Sequence, residues 1–180
     1  MTYTKQPLFH GSSQRFTQFS LDFVGKNGTA LGYGIYLTTN KSLAKQYADA
    51  KDNHNGFLYT VGAHLQNELS SQELNLSKST IARIIDHLHD SCKVLYDFND
   101  VDYYGAEKVK QDVIQQLLSN NNDVDLFNDL ANTTGQKDAV VKAFFDVGRY
   151  THTEKDGVVV VFDPAHLRID DTQEMYPFTE

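Results

Sequence analysis

The sequence predicts an α+β domain: a split, mixed β-sheet with a block of helices inserted before the last strand. Three observations predict it. Residues 1 to about 66 hold short β-branched and aromatic runs punctuated by glycine. Residues from about 77 to 147 carry apolar side chains at the 3.6-residue period of a helix. Residues 157–169, GVVVVFDPAHLRI, then return to a valine run without polar alternation, the mark of a strand buried on both faces.

The elements follow in order. PLFHG, residues 7–11, is a short strand ending at Gly11. YGIYLTT, residues 33–39, follows a glycine and reads as a second strand. NKSLAKQYADAK, residues 40–51, is a helix with Asn40 as N-cap and with Leu43, Ala44 and Tyr47 on one inward face. An Asn55-Gly56 turn opens the third strand, NGFLYTVGAHL. Ile81, Ile84, Ile85, Leu88 and Cys92 share one helical face, and Val109, Val113, Ile114, Leu117 and Leu118 another. SNNNDVD, residues 119–125, reads as a solvated loop. A short helix is expected around Leu126 to Ala131, and GQKDAVVKAFF gives one more with Ala139, Val140, Ala143 and Phe144 inward. Asp163-Pro164 halts the last strand.

At 180 residues, 40% apolar and 22% charged, the chain fits one globular domain with a real core, spanning residues 1–180. No apolar run reaches the ~18 residues of a spanning helix. MTYTKQPLFHG lacks an apolar signal core, so no secretory leader and no membrane partner are expected. The single Cys92 excludes an intramolecular disulfide and fits a reducing, cytoplasmic compartment. A net charge of −8 disfavours a broad nucleic-acid footprint, which needs clustered Lys and Arg. His87 and His89 stand two apart on a predicted helix and cannot share an ion, and no HExxH or CxxC occurs, so no metal is expected. GxGxxG, P-loop and GxSxG signatures are also missing.

What remains is His10-Gly11-Ser12 at a strand end, Gly32-Tyr33-Gly34-Ile35-Tyr36 in the next strand, and Tyr47 eleven residues after Tyr36. Taken singly, His10 reads as a satisfied strand-end histidine and the two tyrosines as core aromatics. In this order and spacing, with the late VVVVFDP strand, they resemble the ADP-ribosyltransferases of the diphtheria-toxin and poly(ADP-ribose) polymerase type and their His-Tyr-x motif. The resemblance covers about 45 residues at the front and about 13 at the back.

The resemblance implies an ADP-ribosyltransferase-like core, NAD as co-substrate, release of nicotinamide, and transfer to a macromolecular acceptor, a protein before a nucleic acid. Cleaving the nicotinamide–ribose bond creates an oxocarbenium-like sugar, as in glycoside hydrolysis. The resemblance gives His10 a hydrogen bond to the adenosine-side ribose. The Gly11 backbone and the Ser12 hydroxyl take the carboxamide, and the Tyr36 and Tyr47 rings take the nicotinamide face. The family's glutamate, five residues before the aspartate of the last strand, falls on Val158, and its hydroxyl eight residues after the first tyrosine falls on Ala44. Both departures point to single ADP-ribose units rather than chains. Glu154 is the first candidate for a substitute catalytic carboxylate beside His10 and Tyr36. Asp156 and Asp146 are further candidates, and a solvated turn is the alternative for all three. A small domain of this kind suits a phage or bacterial effector, acting in the cytoplasm of its own or a host cell. An NAD glycohydrolase, or an NAD- or ADP-ribose-binding module made inert by Val158, are the alternatives.

Overall fold

The computed structural model describes residues 2–23, 31–48, 55–91 and 104–176. Two units divide the chain: Met1–Gln66 with His152–Glu180, and Asn67–Thr151. The strands are β1 (Leu8–Ser12), β2 (Ile35–Thr38), β3 (Gly56–Ala63), β4 (Asn67–Glu68), β5 (Tyr150–Lys155), β6 (Val158–Val161) and β7 (Leu167–Met175). The described helices are α1 (Lys41–Ala48), α2 (Lys78–Ser91), α3 (Ala106–Leu117), α4 (Asp123–Thr134) and α5 (Lys137–Gly148).

In the first unit the strand order is β5–β6–β2–β1–β3–β7, and the pairings along it are antiparallel. Alternation sends Leu8, Leu37, Tyr59, Val61, Val159 and Val161 to one face, where Phe16 and Phe19 from the segment after β1 pack on them. β1 pairs with β3 at five positions from Leu8 to Ser12, but with β2 only at Phe9 opposite Thr38. The ladder between β1 and β2 therefore stops where His10-Gly11 begins, and this is the split in the sheet.

α1 starts as its sequence demands. Asn40 Oδ1 accepts hydrogen bonds from the backbone N–H groups of Ser42 (3.0 Å) and Leu43 (3.1 Å), an N-cap. Its inward face differs from the expected one. Ala44 and Ala48 are buried, whereas Tyr47 is 65% exposed. Small side chains win the interface because α1 lies directly on β1 and β3. A β-carbon on Gly11 would collide with Ala44 O and stand 2.6 Å from Ala48 N, and one on Gly56 would collide with Ala48 O.

β5 and β6 form a hairpin that was not expected. Asp156 (φ 52°) and Gly157 (φ 76°) both take left-handed backbone, as a type I′ turn requires. Glu154 thus lies inside a strand, opposite Val159, and not in a solvated turn. After β6, Asp163 Oδ1 accepts from Ala165 N–H (2.8 Å) and Pro164 opens a one-turn 3₁₀ helix. β7 then returns along β3.

The second unit is helical, with β4 alongside, and contains the insert expected at about 77–147. Ile81, Ile84, Ile85 and Leu88 of α2 are fully buried, as their spacing predicts. Cys92 and residues 93–103 lie outside the described residues. In α3, Val109, Ile114 and Leu117 are buried. In α5, Val141 goes inward with Val140, Ala143 and Phe144, while Ala139 is half-buried. The expected loop at 119–125 is overturned at its end. Asn122 caps α4, accepting from Asp125 N–H (2.8 Å), and Asp123 is its first helical residue. Asp123 is 3% exposed because its carboxylate accepts from the backbone N–H groups of Ser70 (3.1 Å), Asn75 (2.8 Å) and Leu76 (2.9 Å). A buried carboxylate that is hydrogen-bonded in this way replaces its lost water. No described helix is long and apolar enough to cross a membrane.

Candidate active site

His10 stands at the end of the β1–β2 ladder. Its Nδ1 lies 2.8 Å from the carbonyl oxygen of Tyr36. A carbonyl can only accept, so Nδ1 carries the proton and the neutral ring presents a lone pair at Nε2. The imidazole sits edge-on to Phe19 (5.3 Å between centroids) and Phe16 (5.9 Å). Burial pushes its pKa below the ordinary histidine value, and the bond to Tyr36 offsets only part of that. The neutral ring is therefore the form present at pH 7. Among the described residues nothing bonds Nε2.

Gly11 follows, and its missing side chain is explained by α1, which occupies the place a β-carbon would take. Its backbone remains at the edge of the split. Ser12 Oγ accepts from Gln14 N–H (3.0 Å), a local turn that leaves the hydroxyl hydrogen able to donate.

Tyr36 is held by its hydroxyl, which accepts from Leu31 N–H (3.0 Å) and donates to Gly32 O (2.8 Å). Burial raises its pKa, so the phenol stays protonated. With both hydrogen-bonding roles committed to the Leu31–Gly32 loop, Tyr36 can offer a ligand its ring face rather than acid–base chemistry. Tyr47 is no core aromatic. Its exposed ring on α1 is free for a ligand to cover.

Strand register separates these residues. Tyr36 pairs with Val160, and Val158 pairs with Thr38, so Tyr36 and Val158 share the face on which α1 packs against Gly11. Glu154 pairs with Val159, which pairs with Leu37, and so lies on the opposite face with His152 and with His10, whose partner Tyr59 is on that face too. It is also two strands out from β2, roughly 10 Å at ordinary strand spacing. His10, Gly11, Ser12 and Tyr36 thus gather at one end of the split, with His10 and Ser12 on the face of Glu154, Gly11 and Tyr36 on the other, and Glu154 two strands further out. Asp156 occupies the β5–β6 turn. Asp146 is tied in the second unit to Lys142 and to His87 Nε2 (3.0 Å). Its carboxyl is held below the usual range first by the Lys142 hydrogen bond.

Sequence reasoning missed Tyr59, which is fully buried beside His10 and bonds the backbone on both sides of Arg15. No spacing signal links it to a segment more than forty positions earlier. Among the described residues no group of three His, Cys, Asp or Glu is placed to hold a metal ion.

A sequence-family model described as an ADP-ribosyltransferase in polyvalent proteins matches residues 4–171. No curated protein and no solved structure matches the chain. The family match takes in β1 with His10-Gly11-Ser12, β2 with Tyr36, α1 with Tyr47, and the hairpin with Glu154 and Val158. With nearly its whole length matched, the chain belongs to the ADP-ribosyltransferases of polyvalent proteins.

Proposed function

We propose that this ADP-ribosyltransferase uses NAD as co-substrate and transfers single ADP-ribose units to a protein acceptor. The observation that carries the reading is His10. A neutral imidazole, its tautomer set by Tyr36 O, turns the acceptor lone pair of Nε2 outward from that bond at the point where β1 and β2 part. A ribose hydroxyl is a fitting donor to it. The Gly11 backbone and Ser12 hydroxyl beside it suit a carboxamide, which needs one donor and one acceptor. The rings of Tyr36 and Tyr47 suit the flat nicotinamide.

In the reaction, the bond from ribose C1′ to the nicotinamide nitrogen breaks and its electron pair returns to the pyridine ring. Neutral nicotinamide leaves. The acceptor's nucleophile bonds C1′ and gives up its proton to solvent. The chain's own contribution is to fix both ends of the dinucleotide while C1′ moves between them. Extending a chain would require a base or strong acceptor beside a ribose hydroxyl. Val158, half-buried on the Tyr36 face, supplies neither. This supports single transfers. A phage or bacterial effector acting in a cytoplasm is the setting we infer.

The test is chromatography of nicotinamide released from NAD, with and without a protein lysate. Release that rises with lysate supports the transferase. Release equal in both makes water the acceptor and the chain an NAD glycohydrolase. NAD binding without release makes it the inert module that Val158 would favour.

A further inference from the structure

Tyr59 is fully buried directly opposite His10 in the β1–β3 ladder. A tyrosine so placed must partner its hydroxyl. It does so outside the sheet: the oxygen accepts from Phe16 N–H (2.8 Å) and the hydrogen goes to Gln14 O (3.1 Å). The Phe16 ring lies flat on the Tyr59 ring, 4.1 Å between centroids and 12° from parallel. The segment after β1 is thereby folded back over the core, and its Phe16 and Phe19 become the walls against His10. Arg15 sits between the two clamped residues. Its charge is felt at the Tyr59 hydroxyl, and no described group pairs with it. Burial raises the Tyr59 pKa, which keeps the donating hydrogen in place.

We propose that Tyr59 is a positioning residue: its hydroxyl clamps Gln14–Phe16 so that His10 and the Arg15 guanidinium meet the ADP half of the dinucleotide. A core tyrosine needed only for packing could be a phenylalanine, since the ring alone makes the stack on Phe16. The hydroxyl instead spans two backbone groups on either side of Arg15. A ribose hydroxyl on His10 Nε2 and a pyrophosphate on Arg15 would both be set by this clamp. The nicotinamide end, on the Tyr36 face, would not.

This inference rests on the NAD reading above, so the test uses fragments. Native protein, Tyr59→Phe, His10→Ala and the double variant are titrated calorimetrically with ADP-ribose, and separately with nicotinamide. Tyr59→Phe is expected to weaken ADP-ribose roughly five- to tenfold, the scale of one or two lost hydrogen bonds, and to leave nicotinamide unchanged. The double variant is expected to lose clearly less than the sum of the two single losses, because part of the Tyr59 effect runs through His10. Equal losses for both fragments, no loss, or fully additive losses overturn the positioning role. If Tyr59→Phe does not fold, Arg15→Gln, at an exposed position that leaves the core intact, must give the same selective loss. A native chain that binds neither fragment refutes the NAD reading itself.

Discussion

Replacing Gly11 by alanine tests the placement of α1 and the site together. The added β-carbon would fall inside the envelope of Ala44 O and 2.6 Å from Ala48 N. To reach an ordinary 3.4 Å contact, α1 must withdraw about 0.8 Å at Ala48 and further at Ala44. These are backbone atoms, so no side-chain rotation relieves them. Forcing one extra carbon into such a contact costs ~1–3 kcal/mol. At ~2–4 °C per kcal/mol for a chain of this size, the melting temperature should fall by roughly 2–12 °C. α1 also carries Tyr47, so the same movement should weaken NAD several-fold. Melting by circular dichroism and NAD titration of the folded variant measure the two effects. A native melting temperature refutes the packing argument. A destabilised variant with native NAD affinity refutes the link from α1 to the site.

Three further outcomes follow from the same geometry. Tyr47→Ala should leave stability nearly unchanged, because the ring is exposed. It should nevertheless weaken NAD about tenfold or more, as loss of one aromatic platform does at ~1–3 kcal/mol; unchanged affinity by calorimetry removes Tyr47 from the site. His10 has a pKa lowered by burial, so its stabilising contribution is fully present above the unfolded value of about 6.5 and is lost as pH falls through the lower folded value. NAD affinity should be flat from about pH 8 to 6.5 and fall below it as Nε2 gains a proton, a fall that His10→Gln should lack. Glu154→Gln should change nicotinamide release by less than about twofold, given its place two strands out from β2; a loss of tenfold or more would put Glu154 at the reacting sugar.

The sequence carried the parts of the fold that rest on strong local signals. β1, β2, β3, β6 and α1 are where aromatic and β-branched runs, an N-cap and glycine turns put them. The helix faces of α2 and α3 follow their 3.6-residue spacing. β5 escaped because YTHTEK mixes charged and polar residues, although Asp156-Gly157 is the hairpin signal that should have exposed it. β7 escaped because LRIDDTQEM is a charged edge strand, with most of its side chains facing water. Asp123 was mistaken for a loop residue because its partners are backbone groups in another segment, and composition cannot show those. At the site, His10, Gly11 and Tyr36 were legible as a spaced motif. The exposure of Tyr47, the face of Glu154 and the clamp of Tyr59 were not, since each depends on strand register and close packing rather than on spacing.

The most direct test of the central claim is mass spectrometry of lysate proteins incubated with the native chain and NAD, read for the number of ADP-ribose units on each modified site. The account predicts one unit per site, made only when NAD is present and greatly reduced by His10→Ala. A ladder of polymer products, or modification undiminished in His10→Ala, would contradict it.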